Sequence, residues 1–226
     1  MSIPKIVKAM TVCLCIVVGI VALILHFNGN LADLQPGEIA TSEKTTAKVS
    51  NGYDGGATSK KGSLEYLTEE EMFARKNMYV FRGRVSGLKN VTIDFNGEQE
   101  VRCIATVLIE KVYKGNLTVG DQINMLIPCA IDLLDSAAED TSVISQLKSG
   151  MDGIFMPWVY DENSRIEMNG AVLMYSDLAS CGLADGMRWA FLSTDKGVVF
   201  ERNAYSGAKN VINLDDVEKY VIEILK

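Results

Sequence analysis

One uncharged apolar run near the start of the chain constrains its fold most. From Ala9 to Leu25 the sequence reads AMTVCLCIVVGIVALIL, without a charged residue. Extended to residues 6–27, with the Lys8 ammonium reaching the head groups, the run has about the 20 residues that a helix needs to cross a bilayer. We therefore predict one transmembrane anchor over residues 6–27. The alternatives are a cleaved secretory signal and a buried helix of a soluble protein.

The charges that flank this run predict its orientation. Lys5 and Lys8 lie at its start, whereas acidic residues and His26 precede Lys44, the first lysine after it. Because positively charged flanks favour the cytoplasmic side, residues 1–5 are predicted to stay in the cytoplasm. The expected protein is a single-pass plasma-membrane protein whose C-terminal domain lies outside.

Residues 28–62 change in composition to Gly, Ser, Thr, Ala, Lys and Glu, and no period of two or 3.6 runs through them. Such a segment buries too little apolar area to offset the entropy lost on ordering. We therefore predict a flexible linker over residues 28–62, followed by a domain over residues 63–226.

The domain over residues 63–226 has mainly the patterning of β-strands. Its clearest signal is a hairpin, in which Val91, Ile93 and Phe95 alternate with polar residues, Asn96-Gly97 supplies a tight turn and an alternating run returns to Ile109. Runs rich in β-branched and aromatic residues predict further strands at 78–85, 122–127, 153–160, 165–174, 188–192 and 198–201.

Helices are predicted at both ends of the domain. Thr68–Glu71 is a capping-box signature, so a short helix should begin there and end near Lys76. Asn213 is expected to cap a final helix that runs to about Leu225. A third helix is expected within residues 130–147, where the apolar spacing is only loosely helical.

The cysteines limit how the domain can be stabilised. Cys103, Cys129 and Cys181 lie after the predicted anchor, and three cysteines form at most one internal disulfide. The domain must therefore depend on its hydrophobic core. Cys103 and Cys129 fall on or beside neighbouring predicted strands and are the candidate disulfide; the alternative is that all three are buried thiols.

Charge and composition exclude several classes of function. From Ser63 onward the sequence has 16 Lys and Arg against 25 Asp and Glu, so we expect no nucleic-acid partner. His26, the single histidine, lies at the predicted membrane boundary, which removes histidine triads and histidine zinc sites from the domain. No phosphate-binding or nucleophile-elbow motif is present. We predict no catalytic residue, no cofactor and no metal ligand.

Carboxylates and aromatic residues remain as candidates for a site. A carboxylate pair is the chemistry of a glycoside hydrolase, and a cluster of acids in a loop can attract Ca²⁺. Cys181 is a candidate nucleophile in principle, but the domain has no histidine to activate it. The acidic candidates are Asp94, Glu98 and Glu100 near the hairpin, Asp132, Asp135, Glu139 and Asp140 in a loop, and the turn Asp161–Ser164. The aromatic candidates for a binding face or the core are Tyr113, Trp158, Tyr160, Tyr175, Trp189 and Tyr205.

The run Thr106–Asp121, with Val80–Val85 before it and Leu147–Phe155 after it, resembles the OB-like barrel of netrin and tissue-inhibitor-of-metalloproteinase domains, as found in exported bacterial proteins. The resemblance covers roughly residues 78–160. It implies a mainly β fold with flanking helices, in which a small OB-like barrel is followed by a C-terminal β/α extension. Inhibitors of that family ligate zinc through a free N-terminal cysteine, and the first cysteines of this chain lie in the predicted anchor. The resemblance therefore implies architecture rather than activity.

Three functions are compatible with this sequence. The first is a membrane-anchored extracytoplasmic binding or interaction module whose partner is an envelope protein or a glycan, without enzymatic activity. The second is a hydrolase of envelope polymers that uses carboxylates. The third is an accessory or sensor subunit of a membrane complex, in which Cys15, Gly19 and Ala22 form a helix-packing face.

Overall fold

The computed structural model describes residues 37–39, 41, 44–50, 67–131 and 141–226. Over these residues the protein is mainly β, with a curled half-barrel sheet and a C-terminal helix. The predicted cytoplasmic segment, the predicted anchor over residues 6–27 and the candidate packing face Cys15, Gly19 and Ala22 lie outside them. Among the helices in this part of the chain, none has the length and apolar character needed to cross a bilayer.

The described elements are twelve strands and two α-helices. The helices are α1 (Glu69–Ala74) and α2 (Leu214–Ile224). The strands are β1 (Glu38–Ile39), β2 (Thr45–Val49), β3 (Val80–Phe95), β4 (Glu98–Lys114), β5 (Gln122–Ile127), β6 (Asp152–Phe155), β7 (Trp158–Val159), β8 (Arg165–Met168), β9 (Ala171–Met174), β10 (Cys181–Gly182), β11 (Ala190–Thr194) and β12 (Gly197–Val199).

The predicted hairpin forms the centre of the sheet and is confirmed. β3 and β4 pair antiparallel along their whole length, and Asn96 and Gly97 make the turn between them with positive φ angles of 53° and 94°. Register shifts in the first half of β3, the last of them between Val85 and Gly87, mark bulges. Because bulges increase local bend and twist, they let these long strands curl.

The sheet follows the order β12-β11-β6-β3-β4-β5-β10-β7, and its far end returns to the start of β3. β6 pairs with Phe81–Arg84 of β3, and an isolated bridge joins Met78 to Trp158 of β7. Beside this bridge, Tyr79 N donates to Pro157 O at 3.0 Å. β6 therefore lies along β3, and β7 continues the same line beside the residues just before β3. The predicted strand over residues 153–160 is thus divided around Pro157.

Part of the predicted linker is a strand of the sheet. β2 pairs antiparallel with the second half of β3, with Ala47 opposite Ile93, and β1 pairs with β2. Thr45 and Ala47 are buried while Thr46 is exposed. The prediction of a flexible linker across the whole of 28–62 is therefore wrong for β1 and β2. The period of two spans only five residues and was hidden by the polar composition around it.

Two hydrophobic clusters share the long strands β3 and β4. The larger cluster lies between the curled sheet, α1 and α2, and includes Phe81, Phe155 and Phe191. The smaller cluster lies under the distal half of the hairpin and includes Phe95 and Leu173. Because each long strand contributes to both, one continuous sheet supports two cores.

Both predicted terminal helices form. In α1 the capping box is present, since Thr68 Oγ1 accepts from Glu71 N at 3.3 Å and Thr68 N donates to Glu71 Oε2 at 2.8 Å. The N-cap of α2 is Asn213, whose Oδ1 accepts from Asp216 N at 3.0 Å. The helix expected in 130–147 falls largely outside the described residues, which show a short 3₁₀ turn at Ile144–Gln146.

One predicted strand is a hairpin. The range 165–174 contains β8 and β9, which pair antiparallel across Asn169 and Gly170, both with positive φ. Asn-Gly is the same turn signal that identifies the β3–β4 hairpin, but here it lies inside a short apolar run. This hairpin packs on the smaller cluster through Ala171 and Leu173.

Candidate binding site

A pocket of about 330 Å³ lies where the two clusters meet. It combines residues that pack on the larger cluster, such as Trp158 and Trp189, with residues that pack on the smaller one, such as Tyr160 and Tyr175. Its lining is mostly apolar with a few charged groups, which is the usual composition of ligand sites. The lining residues are Leu67, Arg102, Pro128, Trp158, Tyr160, Tyr175, Gly182, Leu183, Ala184, Asp185, Arg188 and Trp189.

The aromatic side chains of the pocket form two pairs. The indole rings of Trp158 and Trp189 lie edge to face, with centroids 5.4 Å apart and an interplanar angle of 87°. The rings of Tyr160 and Tyr175 are tilted by 33° at 5.0 Å. The Arg75 guanidinium lies 4.0 Å above the Trp158 ring. These contacts hold the walls of the pocket in fixed orientations before a ligand arrives.

Asp185 organises the loop that leads from β10 to β11. Its carboxylate accepts from the backbone nitrogens of Met187 and Arg188 at 2.8 Å each, from Arg188 Nε at 2.9 Å and from Trp189 Nε1 at 2.8 Å. Only 2% of the Asp185 side chain is exposed. Its oxygens are thus occupied by internal donors, and its role in the pocket is to orient Arg188 and Trp189.

Arg102 is the charged side chain that β4 contributes to the pocket. Its Nε donates to Glu100 Oε1 at 2.6 Å, and the guanidinium carbon lies 5.2 Å from the Tyr175 ring centre. Among the described residues, its two terminal nitrogens have no protein acceptor at hydrogen-bond distance. Burial acts to lower the pKa of Arg102, but the neighbouring Glu100 and tyrosines outweigh it and the pKa lies above its ordinary value. Arg102 is therefore a permanent cation in a largely apolar wall.

Two further features shape the pocket. The Trp158 Nε1 is closed off from water and has no acceptor within the described part of the chain. Gly182 lies directly under Tyr160, so a Cβ there would collide with the Tyr160 hydroxyl and approach Leu126 O to 2.9 Å. Glycine at this position is what lets the Tyr160 ring lie across β10. Burial raises the pKa of Tyr160, so its hydroxyl stays protonated.

The structure places the predicted acidic candidates in turns and ion pairs. Asp94 accepts from Gly97 N at 2.7 Å in the hairpin turn, and Glu100 is bonded to Arg102. Asp161 accepts from Asn163 N at 2.9 Å and holds its own turn. Among the residues that the structure describes, no group of side chains is arranged to hold a metal ion. The loop acids Asp132, Asp135, Glu139 and Asp140, and also His26, lie outside the described residues.

Cys103, Cys129 and Cys181 are all buried in the structure. Burial raises the pKa of Cys129 to about 11 and that of Cys181 to about 12, so neither is an activated nucleophile at neutral pH. Cys103 in β4 lies opposite Ile127 in β5. Cys129 follows two residues after Ile127 in the sequence. The Cys103–Cys129 disulfide stays a prediction.

Four of the six candidate aromatic residues line the pocket, namely Trp158, Tyr160, Tyr175 and Trp189. Tyr205 is fully buried among core aromatics, and Tyr113 packs against the larger cluster. Sequence reasoning missed Arg102, Gly182 and Asp185. A lone arginine inside the apolar alternation of β4 was the available signal for Arg102. Comparison with models of protein families, with curated proteins and with solved structures finds no match for this chain.

Proposed function

We propose that this protein is a membrane-anchored binding module that holds its domain on the extracytoplasmic side and receives a partner in the aromatic pocket. The observation that carries the proposal is the pocket itself, in which Trp158, Trp189, Tyr160 and Tyr175 are held beside Arg102. Tryptophan, tyrosine and arginine are the residues that dominate binding energy at protein interfaces. The partner class is an envelope protein or a glycan, because the acidic domain disfavours nucleic acid.

An OB-like barrel related to netrin and tissue-inhibitor-of-metalloproteinase domains remains part of the proposal. The path from β3 through β4, β5, β10 and β7 has five strands, and the bridge between Met78 and Trp158 brings its end back to β3. Five strands in a nearly closed ring are the architecture of an OB-fold. In this interpretation β11, β12 and α2 are the C-terminal β/α extension, and the pocket lies at β7 and β10, where the ring closes.

The geometry favours the binding module over a carboxylate hydrolase. Two-carboxylate hydrolysis needs two acids about 5 to 9 Å apart in the cleft. Among the described lining residues Asp185 is the only carboxylate, and four internal donors occupy it. The accessory or sensor function depends on Cys15, Gly19 and Ala22, outside the described residues.

Site-specific photo-crosslinking in intact source cells tests the proposal. A photoreactive amino acid replaces Tyr175 in the pocket of the full-length chain, and in a matched control it replaces Val119, which is 60% exposed in a turn. We expect a discrete crosslinked product from position 175 that is absent at position 119 and is lost when Trp158→Ala is added. Equal crosslinking at both positions, or none at position 175, would overturn the binding function.

Topology is tested with the same exposed position. The described cysteines are buried, so Val119→Cys introduces an accessible thiol. A membrane-impermeant maleimide should label this variant in intact cells and leave the parent chain unlabelled. Labelling that requires cell lysis would contradict the extracytoplasmic placement.

A further inference from the structure

The charged group of the pocket that remains available to a ligand is a hydrogen-bond donor, Arg102. Asp185, the acidic side chain in the described lining, has its oxygens occupied by Met187, Arg188 and Trp189. By contrast, the Arg102 guanidinium donates to Glu100 through Nε, and its terminal nitrogens have no acceptor within the described residues. A ligand that brings a charged acceptor can therefore make charge-assisted hydrogen bonds with these nitrogens.

The charge around the pocket selects an anion over a cation. Arg102 and Arg188 line the pocket, and Arg75 lies against the outer wall on the Trp158 ring. Two of the four aromatic rings already carry a guanidinium, Tyr175 that of Arg102 and Trp158 that of Arg75. At these two rings a cationic ligand would be repelled by like charge.

We propose, on the basis of the binding function above, that this pocket takes a carboxylate carried on an apolar or aromatic body, with the carboxylate against the Arg102 guanidinium. Planar guanidinium and planar carboxylate make paired, charge-assisted hydrogen bonds. The aromatic walls cover the apolar body. Glu100 occupies only the Nε of Arg102, so the outer edge of the guanidinium keeps two donors for the ligand.

The volume limits the size of this ligand. About 330 Å³ lies at the small end of the range for ligand pockets, which begins near 300 Å³. A single ring with a short acidic chain is of this size. The same chemistry comes from two sources, a free aromatic acid or the C-terminal residue of a peptide, and the experiment distinguishes them.

Tryptophan fluorescence reports directly on this pocket. The whole sequence has two tryptophans, Trp158 and Trp189, and both line the pocket. The full-length chain, purified in a mild detergent, is titrated with 3-phenylpropionate and with its neutral amide. In a second arm it is titrated with a triglycyl-phenylalanine peptide as the free acid and as the C-terminal amide. Each acid and amide pair differs mainly in the charge offered to Arg102.

We expect the acids to change the emission saturably and to bind at least tenfold more tightly than the amides, which is the effect of one charge-assisted hydrogen bond. Saturation by phenylpropionate alone assigns a free acid as the ligand and removes the envelope protein and the glycan as occupants of the pocket. A stronger response to the peptide assigns a chain terminus, as an envelope protein would supply. Equal affinity of acid and amide would overturn the carboxylate inference but leave a binding pocket in place. No saturable response to any probe would overturn the inference, whereas the crosslinking experiment decides the binding function separately.

A conservative variant identifies Arg102 as the anchor. Arg102→Lys keeps the positive charge but loses the planar fork of donors, so affinity for the acid should fall about tenfold or more while affinity for the amide is unchanged. Arg165→Lys, at an exposed position in β8, is the matched control and should bind like the parent. The unliganded emission spectrum verifies that each variant is folded. Unchanged acid affinity in Arg102→Lys would refute the role of Arg102.

Discussion

Trp189 Nε1 donates a hydrogen bond of 2.8 Å to the buried carboxylate of Asp185. Trp158, whose ring lies edge to face with Trp189 in the same pocket, has no acceptor for its Nε1 among the described residues. The two indoles should therefore contribute unequally to stability although they line the same pocket.

Replacement of each tryptophan by phenylalanine tests this difference. Trp189→Phe removes one donor from the buried Asp185 Oδ2, which keeps its bond from Arg188 Nε. It should lower the free energy of unfolding by about 1 to 3 kcal/mol more than Trp158→Phe, which removes an unsatisfied N–H. Both changes remove similar apolar volume, so each is the control for the other. Urea unfolding followed by circular dichroism measures the difference. Equal destabilisation would show that the Asp185 contact carries no net stability.

Gly182→Ala should disturb the pocket wall. The new Cβ collides with the Tyr160 hydroxyl and lies 2.9 Å from Leu126 O, so Tyr160 must move. We expect a loss of about 1 to 3 kcal/mol in the free energy of unfolding. Gly87→Ala is the control, because its Cβ meets only Thr106 Cβ at 4.0 Å. Thermal melts compare the two variants with the parent. A melting temperature of Gly182→Ala equal to that of the parent would contradict the packing described.

Ala47→Asp tests whether β2 belongs to the folded domain. Ala47 is 1% exposed against Ile93, so an aspartate would bury a charge without a partner, and β2 should detach from β3. Hydrogen exchange at Val91–Phe95 should then become faster. Thr46→Lys, at the exposed neighbour on the same strand, also adds a charge but places it opposite Asp94, so exchange should stay at the parent rate. Equal exchange rates in both variants would show that residues 45–49 belong to the flexible linker and not to the folded domain.

Stability should fall in acid partly through the contact between α2 and β3–β4. Burial acts to raise the pKa of Glu218, but bonds from Lys111 and Arg82 outweigh it and hold the pKa below its ordinary value of 4.5. The bond from Arg82 likewise lowers the pKa of Asp215 from 3.8. A carboxyl whose pKa is lower in the folded state contributes stability above its unfolded pKa and loses it as pH falls through the folded value.

Arg82→Gln should therefore lower the melting temperature at pH 7 and have progressively less effect as the pH falls and these carboxyls take up protons. Much of this network is exposed to solvent, so the shift at pH 7 should be a few degrees at most. Melting curves between pH 3 and pH 7 provide the measurement, with the exposed Arg165→Gln as the control. A constant difference at every pH would show that Arg82 acts through packing alone.

Local signals predicted the parts of the fold that depend on neighbours in sequence. The β3–β4 hairpin follows from strict alternation around Asn96-Gly97, and α1 follows from the Thr68–Glu71 capping box. Asn213 as the cap of α2 belongs to the same class. Each of these features is specified by a turn or a cap together with a periodic pattern of apolar residues. Both signals lie within a few residues of one another in the sequence.

The features that were missed depend on partners far away in sequence. Five residues of weak alternation become β2 only because β3 offers an open edge at Val91–Phe95. The pocket joins side chains from β4, β7, the turn after β9 and the β10–β11 loop. Nothing local distinguishes Trp158, which lines this pocket, from Tyr205, which is fully buried in the core. The sequence identified the aromatic candidates, but only tertiary packing shows which of them line the pocket and which lie in the core.

The change of neighbours along β3, from β6 at Phe81–Arg84 to β2 at Val91–Phe95, has a consequence for cooperativity. Because one uninterrupted backbone spans both hydrophobic clusters, neither can melt without fraying the hairpin that supports the other. Denaturant should therefore unfold the two halves in a single transition. The pocket at their junction then keeps its shape for as long as the domain itself stays folded.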